Sequence, residues 1–169
     1  MYAKLLARDA ALVAAAVLLW QLGARYSAGT GAVADFTGVV LGVLLGVCTL
    51  FVHEWGHLAG ALATRSRVSP ATSLRSLFVF SFDSKRNSQR QFLVMTLGGW
   101  IGTAVAVAVA YGALPSELLA TRVARGLALV SVALVVATEI PLVTRALWTG
   151  RIPPIETRRE PAEAERAAA

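Results

Sequence analysis

Three long apolar runs dominate this chain: Phe36 to about Ala63, Phe92 to about Leu114, and about Val123 to Trp148. Each is long enough to cross about 30 Å of hydrocarbon at ~1.5 Å of helical rise per residue. Lipid offers no partner to a bare N–H or C=O, so runs of this kind must be helical. A shorter run, Ala10 to Leu22 with an outer limit at Leu5, precedes them. Lys4 and Arg8 flank it as they would a signal peptide. However, Gln21-Leu22-Gly23-Ala24-Arg25 is a poor cleavage site and further spans follow, so the run reads as an uncleaved first helix. The expected fold is an all-α polytopic membrane protein with about four transmembrane helices. Residues 1–150 form one membrane-embedded domain. Residues 151–169, rich in Pro, Glu, Arg and Ala, read as a disordered cytoplasmic tail.

Composition agrees. The chain is 56% hydrophobic and only 15% charged, too apolar for an ordinary soluble domain. A net charge of +6 would suggest nucleic acid in a soluble protein. Here it reads as basic loops at a membrane, with the bilayer and not nucleic acid as partner. Thirteen of the sixteen basic residues lie in the amino terminus, the loop between spans two and three, and the carboxyl end. Arg25, Arg122 and Arg125 lie on the other side. The positive-inside rule then places both termini and the central loop in the cytoplasm, with the protein in the cytoplasmic membrane. The bias to Arg over Lys, with abundant Ala and Val, reads as a GC-rich bacterial genome. Cys48 stands alone, so no intrachain disulfide is available, and it reads as a packing residue.

The second span carries His53-Glu54-Trp55-Gly56-His57 and both histidines of the chain. Positions i and i+4 share a helix face, so His53 and His57 can bind one metal ion. Glu54 between them can act as general base on a metal-activated water. Catalytic zinc usually takes three protein ligands and keeps one open position. Depth suggests the third. His57 lies eight residues before Arg65 and Glu139 six before Arg145, or ~12 and ~9 Å from the same interface. Glu139 is the one carboxylate outside the motif deep in a span, and is expected to complete a Zn²⁺ site. The alternative is a protonated structural Glu139 hydrogen-bonded to a neighbouring helix.

Other patterns bear on packing and access. Gly38, Gly42 and Gly46, and likewise Gly98, Gly102 and Ala106, recur every four residues, a spacing that lets helices approach closely. Gly56 and Gly60 are expected to keep one side of the metal helix open to substrate. Pro141 either opens space near the metal or is an ordinary transmembrane kink. In the central loop, Phe78, Phe80 and Phe82 alternate within Ser73 to Asp83, which reads as a β-like hairpin strand. It either lies on the membrane surface or offers an edge to an extended peptide. Asn87-Ser88 reads as the turn into span three.

An intramembrane His-Glu-x-Gly-His on the second of four spans resembles the site-2 protease family of intramembrane zinc metalloproteases. The β segment after the metal helix and the Gly-rich Leu97-Gly98-Gly99-Trp100-Ile101-Gly102-Thr103 are similar to that family over residues 36–150. The family completes its zinc site with the Asp of an Asn-x-x-Pro…Leu-Asp-Gly pattern. Here Thr138-Glu139-Ile140-Pro141 and Leu147-Trp148-Thr149-Gly150 occupy those places without the Asn or the Asp. The resemblance implies a zinc metalloendopeptidase acting on a membrane protein or membrane-adjacent peptide. Two other functions stand beside it: a non-proteolytic subunit or scaffold of a larger membrane complex, and a metal enzyme acting on a lipid.

Overall fold

A computed structural model describes residues 1–153. Among them are four helices and one small sheet: α1 (Tyr2–Ser27), α2 (Ala32–Ala63), β1 (Val68–Pro70), β2 (Phe80–Phe82), α3 (Gln89–Gly112) and α4 (Leu119–Thr149). All four helices are long and apolar enough to cross a membrane. The four long apolar helices expected from the sequence are therefore present. The first is longer than its apolar run, because Tyr2 to Asp9 join the helix, with Leu5 and Asp9 buried against the rest of the molecule.

The helices alternate in direction, so α2 and α4 run parallel. Their first halves are held close by the small residues of α2. Gly38 faces Leu119, Gly42 faces Ala120 and Val123, and Gly46 faces Leu127. The seam ends where Thr49 Oγ1 and Ser131 Oγ lie 3.1 Å apart. Between α2 and α3 the backbones meet. A Cβ at Gly98 would strike the Gly56 carbonyl, and one at Gly102 would lie 2.5 Å from the Val52 oxygen. The packing role expected of these glycines holds. The open side expected at Gly56 and Gly60 does not: that face is filled by Val94, Met95, Gly98 and Gly99 of α3. Two glycines instead allow close backbone contact.

Helix ends follow local chemistry. Ser88 caps α3, with its Oγ accepting from Gln91 N and Gln91 Oε1 accepting from Ser88 N. Asn87 ties this turn back, donating to Arg67 O at 2.8 Å. Gly150 closes α4 in the left-handed conformation, φ 67°. Pro141 does not break α4, which runs on for eight residues to Thr149. Having no N–H, it leaves the Ala137 carbonyl without its helical donor.

The hairpin is shorter than its aromatic alternation suggests. Val68 pairs with Phe82, Ser69 with Ser81 and Pro70 with Phe80, antiparallel. Strand structure ends at Phe80, and Ser73 to Leu77 form turns. The reason is local competition by serine hydroxyls: Ser73 Oγ accepts from Arg75 N and Ser76 Oγ from Phe78 N, each at 3.1 Å. The partner strand β1 was not legible, because three residues containing a proline show no period.

The hairpin plugs one end of the bundle. Phe82 packs with Ala61, Phe92, Met95 and Ala146, and Ile152 folds back onto this cluster. Val79 packs with Leu5 of α1 and Leu58 of α2. Packed structure thus continues past residue 150 as far as Pro153, which is buried. The rest of the expected tail lies outside the described residues.

Candidate metal centre

His53 and His57 sit one turn apart on α2 and turn their rings toward α3 and α4. Their Nε2 atoms lie 2.9 Å from each other. Glu139 Oε1, from α4, lies 2.9 Å from His53 Nε2 and 3.3 Å from His57 Nε2. The parallel run of α2 and α4 explains the match. Thr49 stands beside Ser131, and two turns further on His57 meets Glu139. The third residue expected from depth is therefore brought to the two histidines, and the three form a cluster that could hold a metal ion.

The far side of each ring is held by α3. His53 Nδ1 lies 2.8 Å from Thr103 Oγ1 and 3.1 Å from the Gly99 carbonyl. His57 Nδ1 lies 3.0 Å from the Met95 carbonyl. A carbonyl can only accept, so His57 donates from Nδ1, and Nε2 is the atom that faces the cluster. The Gly99 carbonyl favours the same tautomer for His53. Glu139 is held likewise, its Oε2 accepting from Trp100 Nε1 at 2.9 Å. The neighbouring-helix bond considered for Glu139 thus exists, but it occupies one oxygen and leaves the other facing the histidines. Gly99 is required here, because a side chain would collide with the His57 ring.

This donor set fits a cation. Two imidazole lone pairs and a carboxylate oxygen meet within 3.3 Å. Electron pairs pointed at one another repel unless a proton or a metal lies between them. Donors 2.0–2.1 Å from a tetrahedral zinc stand about 3.3 Å apart. The outer hydrogen bonds to carbonyl, hydroxyl and indole are those that orient metal ligands. Sequence reading missed Thr103, Trp100 and the Met95 carbonyl. Trp100 and Thr103 had as advance signal only a location in the Gly-rich stretch, which does not say which side chains face α2, and Met95 lies before that stretch.

Beyond the Thr49–Ser131 contact a cavity of about 370 Å³ opens among α2, α3 and α4. His53, His57, Glu139 and Glu54 line it, with Leu134 and Leu142 of α4 on its apolar side. Phe78, from the loop between the strands, forms another part of the wall. Glu54 lies beside the Val79 backbone of that loop. The volume is in the range of sites that hold a small ligand or a few residues of peptide.

Comparison with protein-family models, with curated proteins and with solved structures gives no match.

Proposed function

We propose that this chain is an intramembrane zinc hydrolase of site-2 protease type, cleaving a peptide bond in a membrane-embedded or membrane-adjacent substrate. The observation that carries the reading is the meeting of His53 Nε2, His57 Nε2 and Glu139 Oε1 at the wall of a cavity that also contains Glu54. His53, His57 and Glu139 would hold the ion, with Glu139 in the role the family gives to Asp. When bound, zinc supplies a Lewis acid that acidifies water and polarises a carbonyl.

The remaining work falls to the chain. Glu54 takes the proton from water as its oxygen attacks the scissile carbonyl carbon, and delivers it to the amine as the C–N bond breaks. Leu134 and Leu142 give the cavity an apolar side against which a substrate side chain can pack. A helical substrate hides its carbonyls in its own hydrogen bonds, so the cleaved segment must be extended. β2 pairs with β1 along one edge, and its other edge can take such a segment. By the positive-inside rule the site lies in the cytoplasmic third of the bilayer, with both termini in the cytoplasm.

The test is metal content and cleavage of a membrane-peptide library by the purified chain in micelles. Wild type should bind one zinc and cleave. Glu54→Gln should keep the zinc and lose about 10²–10⁴ in rate. Normal cleavage by Glu54→Gln would sink the mechanism. A metal-free chain purified always with the same partner would favour the scaffold.

A further inference from the structure

Arg8 and Asp9 belong to no motif and take no part in the proposed chemistry, yet both are tightly engaged. Asp9 is a carboxylate only 2% exposed. Its Oδ2 accepts from the indole Nε1 of Trp55 at 2.8 Å. Trp55 is the residue after Glu54 in the metal helix. Asp9 Oδ1 accepts from Arg8 Nε at 2.6 Å. Arg8 Nη1 in turn donates to the Leu74 and Ser76 carbonyls, at 2.6 and 2.7 Å. A continuous chain of bonds therefore runs from the metal helix, through α1, to the loop that joins β1 to β2.

That loop needs an external hold. The strands beneath it pair over three residues each, and its own bonds are mostly short serine turns. It nonetheless brings Phe78 to the cavity wall and Val79 beside Glu54. Apolar packing of Leu5, Leu58 and Val79 runs alongside the polar chain. Arg8 and Asp9 are neighbours in α1, so their ion pair joins no two elements by itself, and a buried ion pair is weak evidence for stability. What the guanidinium adds is direction: it grips two carbonyls two residues apart and sets where the loop lies.

We propose that Arg8 and Asp9 are positioning residues that hold the Leu74–Val79 loop against the metal helix, making Phe78 the wall on which an apolar substrate side chain packs. The substrate part rests on the hydrolase reading; the placement of the loop does not.

The experiment uses the full chain in detergent micelles, as wild type, Arg8→Gln, Trp55→Phe and the double variant. Amide exchange over Leu74–Val79 should quicken about tenfold or more in each single variant. Exchange over His53–His57 and Gly98–Thr103, and zinc content, should stay at wild-type values. The double variant should be little worse than either single one, because both cut the same chain. Two zinc-chelating probes read the wall. Benzohydroxamate should bind about tenfold more weakly to Arg8→Gln, and acetohydroxamate, which has no ring to reach Phe78, should bind unchanged. An unaltered loop in Arg8→Gln would overturn the proposal. So would equal loosening of α2 and α3 with loss of zinc, which would mark the pair as a general prop. A loosened loop in a chain that binds no zinc even as wild type would support the clamp and sink the hydrolase reading.

Discussion

Glu139 uses its two oxygens differently: Oε2 is held by Trp100, and Oε1 faces the two histidines. Each member of the cluster thus has a partner on α3 that fixes its orientation, and on the proposed reading zinc affinity should depend on those partners. Trp100→Phe and Thr103→Val are each expected to weaken zinc binding by about 10- to 100-fold. Glu139→Ala, which removes a ligand outright, should weaken it further. Competition with a chromophoric chelator measures all three. Equal affinity in wild type and Glu139→Ala would remove Glu139 from the site. At this scale the motif was legible from spacing and Glu139 from depth, because both follow from a fixed rise per residue. Trp100 and Thr103 were not, because the rotation of α3 about its own axis leaves no mark in its composition. Its apolar residues surround it, lipid and protein being alike to them.

The glycines act between elements. Gly98 and Gly102 let α3 touch the backbone of α2 at Val52, His53 and Gly56. Only at that distance do the Met95 and Gly99 carbonyls reach the histidine rings. Gly98→Val is expected to cost about 1–3 kcal/mol of stability in micelles and to release zinc as the helices part. Gly126 is the control, because a Cβ added there would meet nothing within 4 Å. Gly126→Ala should leave zinc unchanged and raise stability by up to about 1 kcal/mol. Thermal unfolding and metal content of both variants check the pair, and a stable, zinc-loaded Gly98→Val would show that the close approach is dispensable. The small-residue spacing was readable as packing. Which helix each stripe met was not, and this is why Gly56 and Gly60, expected to face substrate, instead face α3.

Across the whole molecule, the start of α1, the hairpin, the start of α3 and the end of α4 gather at one end. Arg8 bonds the loop, Gln89 Nε2 donates to the Ala146 carbonyl, and Ile152 packs on the hairpin cluster. The basic residues of the amino terminus, central loop and α4 end therefore share one end of the bundle, with Arg25, Arg122 and Arg125 at the other. This arrangement suits a cytoplasmic face rich in positive charge. With Cys48 replaced by Ala, a single cysteine at Ser84 should react with a membrane-impermeant maleimide only after cells are opened, and one at Ser116 in intact cells. The reverse pattern would invert the proposed topology.

The sequence by itself determined the four long apolar helices, the shared face of His53 and His57, and the position along α4 that singled out Glu139. These depend on helical period and on the demand of lipid for internally bonded backbone, and both are local properties. Only the tertiary structure decided which residues of α3 hold the ligands, how far the strands extend, and that Arg8 and Asp9 tie the loop to the metal helix. The strand pairs lie 10 to 14 positions apart and the other contacts 38 to 68, set by helix rotation and by competition among hydrogen-bond partners. No period along the chain records them.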